Sequence, residues 1–485
     1  MYTYVYRYAT CHHCAQGRCA NTRTVINLVT IISHTCASSS LSLVKTCLTC
    51  RTIVTILFML YIKIMHRNKQ FLLLVLHWML LYKLLKRKKK QIRWYKRRWY
   101  VRPINQLRYK YGAYETLYQD LKNDENLFFR YTRMNLCLFN KLLQLTEPYL
   151  TKNSYRAFPA EQRLIIVLRY LATGDLPLSI ALSFRIGEST VRMLIKEVCQ
   201  ILINVLQPLY LSQPSEEEWK SYAEGFWKRW NVPNCVGAVD GKHITLQCPP
   251  NSGSLFYNYK KYYSIVLMAV ANHVYRFTLV DVGAYGGNSD GGIFNDSLIG
   301  ENLKNENLNL PKGTFKLPGS QICTPTFLLA DDAFALNTRI MKPYTGRNLN
   351  EEQKICNYRF SRARRTVESA FGIFSNRWRI FRQSICMLPK SADLITTASL
   401  CLHNFVMVEE ERCKLKLYST TEFLENDTNN QEMQWLSSSE NLCYNETVSS
   451  ASKQRDTLCK YFISPEGEVP WQYDYVRRGT YGENI

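Results

Sequence analysis

Three acidic residues are spaced so that they could bind metal ions for phosphodiester cleavage. Asp240 ends the apolar run in "CVGAVDGKHITLQC", Asp331 ends the run in "PTFLLADDAF", and Glu368 lies in the later segment "RRTVESAFGIFSNRWRIF". Neighbouring strand ends bring side chains close together, so the two aspartates could share a metal ion. Hard carboxylate oxygens suit Mg²⁺ or Mn²⁺. Two such ions, about 4 Å apart, activate a water or a 3′-hydroxyl for attack on phosphorus.

Each of these acids also has a structural interpretation. Asp240 precedes a glycine and forms a favourable turn pair with it. Asp331 could cap the following helix, and Glu368 could form an ion pair with Arg364 or Arg365. Taken singly, the structural interpretation is the simpler one for each residue. Their joint placement on two strands and a helix, in chain order, favours a metal site.

The elements that would carry these acids follow from hydrophobic periodicity. After about residue 233, three strand-like runs succeed one another. A Gly- and Asn-rich stretch that opens a helix, a fourth strand and a long helix come next. Consecutive strands favour antiparallel hairpins, whereas a strand reached through a helix favours a parallel crossover. We therefore expect an α/β fold with a mixed sheet and surrounding helices, as in the RNase H fold.

The segment before the strands is predicted to be helical. One amphipathic helix should stop near Pro148, and the next should run from Pro159 to Gly174. A short helix, a turn through Gly187 and a long helix capped by Ser189 follow. This order is the helix-turn-helix pattern. The alternative is a plain helical pair with a solvated charged face.

Nearly all of the excess positive charge lies in the first quarter of the chain. The chain has 62 Lys and Arg against 39 Asp and Glu, yet no acid and 21 of the bases precede Glu115. Ten Lys or Arg are interleaved with Trp and Tyr in residues 86–102. Such a run can neutralise phosphates, stack on bases or act as a nuclear localisation signal. A solvated basic arm is the alternative, and both interpretations indicate a nucleic-acid partner.

The N-terminal extension contains two membrane-like runs, 53–65 and 71–81, each shorter than the about 20 residues of a spanning helix. The pairs "CHHC" and "CLTC" imitate a zinc motif but are separated by a long apolar segment. We predict that the native chain starts at Met65 or Met79. A real membrane anchor is the alternative.

The motifs taken together resemble a known family. "GAVDGKHI", "DVGAYGGNSDGGIFNDS", "LLADDAF", "RRTVESAFGIFSNRWRIF" and "CLHNF" are similar to the PIF/Harbinger superfamily of DDE transposases and their host-domesticated, nuclease-like descendants. The resemblance extends from "RRWYVRP" to "VPWQ", with Ala330 standing where a glycine is common. It implies a nuclease or transposase with a DDE triad of Asp240, Asp331 and Glu368.

The resemblance implies further site residues. Asp290 in "NSDGGIF" is an additional metal-ligand candidate, and which of Asp290 and Asp331 is the essential second carboxylate stays open. Asp281 in "LVDVG" is expected to be structural. The residues expected to contact DNA or its phosphates are Arg185, Ser189, Arg192, Lys196, Lys242, His243 and Arg364.

Cofactor, partners and domains follow from the same resemblance. A divalent cation, Mg²⁺ or Mn²⁺, is the implied cofactor. The implied partners are DNA, a separate Myb/SANT-like DNA-binding protein and further copies of the chain, with the nucleus, or nucleus and cytoplasm, as the location and no membrane. The alternative function is a domesticated, non-catalytic DNA- or chromatin-binding protein on the same fold. The expected segments are an extension (1–78), a basic arm (79–110), a helical DNA-binding region (111–224), an RNase H-like nuclease domain (225–412), a flexible linker (413–454) and a tail (455–485).

Overall fold

The structure of the protein is a computed structural model that describes residues 74–86, 99–154, 156–346, 348–413 and 446–478. The chain divides into two compact units, residues 1–100 and 101–485. In the first unit, residues 74–86 form a helix whose apolar side chains are mostly exposed. Both cysteine pairs, the apolar run 53–65 and most of the basic run 86–102 lie outside the described residues.

The second unit begins with helices. They are α1 (Pro103–Gln106), α2 (Arg108–Tyr111), α3 (Leu117–Leu121), α4 (Glu125–Thr132), α5 (Leu136–Leu150), α6 (Ala160–Thr173), α7 (Pro177–Ser183), α8 (Glu188–Tyr210) and α9 (Glu216–Trp230). The predicted limits of α6 are confirmed, since Pro159 precedes it and Gly174 ends it in the left-handed conformation. The predicted cap of α8 is wrong. Gly187 occupies the cap position and has no side-chain oxygen, so Ser189 lies inside the first turn.

A five-stranded mixed sheet lies at the centre of this unit. The strands are β1 (Cys235–Thr245), β2 (Ser264–Ala271), β3 (Phe277–Tyr285), β6 (Phe327–Leu329) and β7 (Ile340–Met341), while β4 (Phe315–Lys316) and β5 (Cys323–Thr324) form a separate hairpin. Their spatial order is β3-β2-β1-β6-β7, antiparallel from β3 to β1 and parallel from β1 to β7. The predicted mixed sheet is confirmed, because the consecutive strands pair as hairpins and the later strand joins in parallel.

Helices pack on both faces of the sheet. They are α10 (Asp290–Asp296), α11 (Leu298–Lys304), α12 (Glu351–Arg377), a 3-10 turn (Arg379–Arg382) and α13 (Pro389–Arg412). Side chains alternate between the faces of a strand. Ala238 and Ile244 of β1 accordingly share a core with α12 and α13, whereas Val239 packs with α10 and α11. The candidate acids therefore sit on a strand that is supported from both sides.

The helical segment and the sheet share one hydrophobic core, which includes Phe128, Leu202 and Ile395. The expected boundary between residues 224 and 225 falls inside α9. Ser215 and Glu218 form a capping box that starts this helix, and it continues past the expected boundary to Trp230. By length and composition α13 could cross a membrane, but most of its apolar window is buried in this core.

Two C-terminal helices pack against α12. They are α14 (Glu446–Phe462) and α15 (Gln472–Arg478). The predicted linker is too long, because α14 begins inside it and buries Leu458 and Phe462 in the common core. Arg359 of α12 is fully buried and donates to the carbonyl of Gly467 (3.1 Å) and to Oε1 of Gln472 (2.8 Å). The remainder of the predicted linker, residues 414–445, lies outside the described residues.

The motif "CLHNF" has a structural role. Asn404 of α13 is buried, accepts a hydrogen bond from the Phe277 N–H (3.0 Å) and donates to the carbonyls of Phe277 and Tyr210 (2.7 Å each). It thus fixes the start of β3 and the end of α8 on α13.

Replacing Asn404 with alanine should lower the free energy of unfolding by about 2–4 kcal/mol, because buried backbone groups lose their partners. Denaturant unfolding measures the change. Ser399→Ala is the control, since the Ser399 hydroxyl bonds only within its own helix, to Ile395. If both variants lose equally little stability, the hydrogen bonds of Asn404 to Phe277 and Tyr210 do not stabilise the fold.

Candidate active site

Asp240 lies within β1, and Asp331 lies two residues past the end of the neighbouring strand β6. β1 and β6 run parallel, and their last paired residues are Ala238 and Leu329. Each aspartate lies two residues beyond this pair, so the parallel register brings the two acids to the same region of the sheet. The Asp331 carboxylate raises the pKa of Asp240. The structure therefore brings together the two acids that the sequence placed at strand ends.

Glu368 reaches the same site from α12. Val367 and Ala370 are buried on the face of α12 that packs toward the sheet, and this fixes the direction of Glu368 between them. The guanidinium of Arg364, one turn earlier, contacts Glu368 Oε1 at 2.5 Å and Asp240 Oδ2 at 3.9 Å. Strand and helix acids thus meet around one arginine.

The surroundings of Asp240 disfavour the charged form of its carboxyl group. Its side chain is only 19% exposed. Burial raises the pKa of its carboxyl to about 7, and Glu368 and Asp331 act in the same direction. Arg364 and the N–H of Gly241, which donates to Oδ1 at 2.9 Å, lower that pKa. A desolvated carboxylate among like charges is the kind of group that a bound dication stabilises.

Asp290 approaches from the other face of β1. It is the first residue of α10, which packs on that face. A Cβ added to Gly241 would lie 2.6 Å from Asp290 Oδ1, so any larger residue would displace this carboxylate from its position. Burial and then the charge of Asp331 raise the pKa of Asp290, whereas Lys260 lowers it. The cluster therefore contains four carboxylates, Asp240, Asp290, Asp331 and Glu368.

Two further acids nearby have structural roles. Asp281 accepts a hydrogen bond from the N–H of Leu298 (3.0 Å) at the start of α11, as expected for a structural residue. Asp332 forms an ion pair with Lys342 at 3.4 Å, and Lys342 also donates to the Asp332 carbonyl. Asp332 thus directs its charge to a partner outside the cluster and serves as a control for Asp331.

Gly241→Ala should weaken Mn²⁺ binding about 10-fold, because the added methyl displaces Asp290 and outer positions of a metal site have effects of this order. Calorimetric titration measures the affinity, and Asp290→Asn should show the same loss. Gly237→Ala on the same strand is the control, since its Cβ would meet Val270 Cγ1 at 2.6 Å and no carboxylate. Equal losses in both glycine variants would indicate strand distortion and leave Asp290 without a role.

The carboxylate oxygens of the four acids are suitable ligands for a hard divalent cation. All four acids are carboxylates, and they act on one another electrostatically. Among the described residues, however, no three His, Cys, Asp or Glu side chains are grouped tightly enough to hold a metal ion. Arg364 provides the compensating charge between Asp240 and Glu368. Binding a cation there requires the Arg364 side chain to move aside.

Basic residues adjoin the acids. Lys242 and His243 follow Asp240 on β1, and burial lowers the pKa of each. His243 Nδ1 lies 2.9 Å from the hydroxyl of Ser264. Lys260, in the loop between β1 and β2, acts electrostatically on both of these side chains and on Asp290. The sequence reasoning missed Lys260, although two lysines among aromatic residues in "FYNYKKYY" could have indicated it.

The two arginines predicted for a helix-turn-helix are engaged within the chain. Arg185, in the turn between α7 and α8, has a φ of 51° and donates to the carbonyl of Tyr111 at 3.2 Å. Arg192 on α8 pairs with Glu188 at 2.9 Å, one turn earlier. Both side chains are therefore already used in holding the helices in place.

Ser189 and Lys196 lie on the exposed face of α8 together with Met193 and Gln200. In the described part of the chain, no hydrogen bond or ion pair joins these residues to the four acids. The structure thus contains the predicted helical pair, but its exposed face is mainly neutral.

Comparison with known proteins identifies the class. Residues 239–404 match the family described as DDE superfamily endonuclease. The matched segment begins within β1 and contains all four acids of the cluster and the whole of β6. Residues 239–404 are therefore similar to a DDE superfamily endonuclease domain.

Two curated proteins of Arabidopsis thaliana are similar to more of the chain. One, Protein Antagonist of Like Heterochromatin Protein 1, is 25% identical over 258 residues, which are 52% of this chain and 63% of that protein. The other, Protein ALP1-like, is 27% identical over 267 residues, which are 52% of this chain and 61% of that protein. The chain thus spans somewhat over three-fifths of the length of these relatives. No solved structure matches it significantly.

Proposed function

We propose that the protein is a metal-dependent DNA endonuclease of the Harbinger transposase type, cutting phosphodiester bonds by a two-metal DDE mechanism. The observation that carries this proposal is the meeting of Asp240, Asp331 and Glu368 at one end of the sheet, inside a domain of the DDE superfamily. The parallel pairing of β1 and β6 supports an RNase H-like fold for this domain.

The chain's own residues divide the work as follows. When bound, Mg²⁺ or Mn²⁺ supplies activation of a water or 3′-hydroxyl and stabilisation of the leaving oxygen. Asp240 and Asp331 would hold the cations together with Glu368 of α12. Arg364, released from the acids, contacts the scissile phosphate together with Lys242. The partly buried setting of Asp240 strengthens these electrostatic interactions.

The broader setting of this activity belongs to the same proposal. DNA is the substrate, α8 contacts it through Ser189 and Lys196, and the protein acts in the nucleus. A Myb/SANT-like protein that recognises the DNA ends is the proposed partner, and two copies of the chain acting together would cut two ends. The bias of basic residues toward the N-terminal quarter supports the nucleic-acid partner.

Mn²⁺ binding to the full chain tests the metal site before any DNA target is known. Calorimetry should show binding that weakens at least about 10-fold in Asp240→Asn and in Glu368→Gln, since each removes a ligand oxygen. Asp332→Asn should bind as the wild type does, because that acid faces Lys342. Equal binding by wild type, Asp240→Asn and Glu368→Gln would refute the metal site.

A non-catalytic DNA- or chromatin-binding protein is the second candidate function. Arg364 already compensates Asp240 and Glu368 without a metal, and one relative is named an antagonist of a heterochromatin protein. In this case DNA binding persists in Asp240→Asn and Glu368→Gln, while the wild type shows no Mn²⁺ binding. The same two variants therefore separate the two functions.

A further inference from the structure

A cavity of about 490 Å³ opens among α3, α4, α6 and the 3-10 turn that follows α12. Four arginines line it, Arg130, Arg133, Arg169 and Arg379, and this cavity is called the arginine pocket below. None of its described lining residues is acidic, and none belongs to the four-carboxylate cluster. Two oppositely charged sites thus lie in the same unit of the chain.

The arginine pocket is partly built by fixed side chains. The guanidinium of Arg169 lies over the ring of Tyr131, 4.2 Å from its centroid, and donates to the Tyr131 carbonyl at 3.4 Å. Its ion pair with Asp175 is long, at 3.9 Å, and Asp175 is 41% exposed. Arg133 ends α4 in the left-handed conformation, with φ of 60°. The backbone and an aromatic ring therefore hold two arginines toward one cavity.

The other two arginines are exposed. Within the described residues, Arg130 and Arg379 form no ion pair. Four like charges around one cavity repel one another, and a bound anion removes that repulsion. Planar guanidinium groups bind phosphate through paired N–H donors. The lining leucines, which include Leu117 and Leu127, provide apolar surface on which a sugar or base can rest.

We propose that the arginine pocket binds a backbone phosphate of the DNA strand, at a distance from the bond that is cut. This assignment rests on the proposed function. Glu368 lies on α12, and Arg379 lies in the 3-10 turn that directly follows this helix. A DNA strand with one phosphate in the pocket is therefore held at a fixed separation from the acids. The pocket thereby sets the register of the DNA over the acids.

The salt dependence of DNA binding tests this assignment. Fluorescence anisotropy of a labelled duplex with the full chain, in EDTA, measures the affinity over a range of salt concentrations. R130Q/R379Q should make the slope of log affinity against log salt less steep by about 0.9, the contribution of one lost phosphate contact. R130K/R379K keeps both charges and should retain most of the wild-type slope.

A matched control removes the same charge elsewhere. K304Q/K312Q changes two exposed lysines outside the pocket and should leave the slope as in the wild type. Equal flattening in both double variants would show an effect of net charge alone and overturn the pocket. All variants are compared at equal unfolding midpoints, and Arg130 and Arg379 are chosen because they are exposed.

Other outcomes separate this pocket from the metal site. If R130Q/R379Q keeps the wild-type slope while Mn²⁺ binding is intact, the pocket assignment fails and the proposed function stands. If the slope changes as expected but Mn²⁺ does not bind, the pocket stands and the catalytic proposal fails. A polyglutamate peptide tests for an acidic protein partner. If it raises the unfolding midpoint of the wild type but not of R130Q/R379Q, and the salt slope of DNA binding is the same in both proteins, the pocket binds acidic protein and the proposal is overturned.

Discussion

Glu410→Ala should lower the free energy of unfolding by about 3–5 kcal/mol, the largest stability effect expected in this chain. Glu410 on α13 and Arg377 on α12 are 2% and 1% exposed, and two hydrogen bonds of 2.9 and 3.1 Å join their side chains. The alanine removes the carboxylate that balances a guanidinium buried between these helices. Denaturant unfolding at constant ionic strength measures the loss.

Replacing both partners by apolar residues should restore most of this loss. Arg377→Met with Glu410→Leu leaves no buried charge, and such replacements of buried ion pairs are often neutral. Glu224→Ala, which removes an exposed pair with Lys228, should leave the stability unchanged. If Glu410→Ala unfolds like the wild type, the pair does not hold α12 and α13 together.

Asp240→Asn should abolish Mn²⁺-dependent cleavage, by about 10³-fold or more, because catalytic groups that act as a unit show losses of this order. The same variant should stabilise the protein in EDTA. The pKa of Asp240 is raised to about 7, so the folded state disfavours its charged form. The gain should be roughly 2–4 kcal/mol above pH 7, should shrink as the pH falls from 7 to 4, and should disappear below about pH 4, where the acid becomes neutral in the unfolded state as well. Losing the contact with Arg364 offsets part of it.

Plasmid nicking under single-turnover conditions and thermal unfolding at pH 8 and pH 4.5 measure both effects. Asp332→Asn is the matched control for both, since its carboxylate pairs with Lys342. An Asp240→Asn variant that is less stable than the wild type at pH 8 would show that Asp240 serves the fold through Arg364. Retained cleavage in that variant would remove Asp240 from the mechanism.

Much of the site could be predicted because its acids lie beside strong local patterns. Asp240 follows the buried apolar half of β1, Asp331 follows the apolar strand β6, and Glu368 flanks a buried stripe on a long helix. Consecutive strands and one later strand were also enough to indicate a mixed sheet. These features depend on residues close together in sequence, where periodicity is informative.

The remaining features depend on contacts between distant residues. Arg364 was expected to pair with Glu368 or to contact phosphate, but its reach to Asp240 depends on how α12 crosses β1. Arg185 was expected to contact DNA, yet its side chain donates a hydrogen bond to the carbonyl of Tyr111 at the end of α2. The boundary inside α9 was missed because the helical segment and the sheet share a core, which composition does not show.

The contact between α12 and the C-terminal helices has a genetic consequence. Arg359 is buried on the helix that carries Glu368, and its acceptors Gly467 and Gln472 lie far downstream of the matched domain, which ends at residue 404. A nonsense or frameshift allele interrupting residues 414–445 would spare every candidate acid. It would nevertheless remove these two acceptors of Arg359, leaving the carbonyl of Asn231, and it would expose the apolar face under α14. Such alleles should behave as complete loss-of-function alleles, and a gene copy with an intact DDE segment but a truncated end should be scored as a pseudogene.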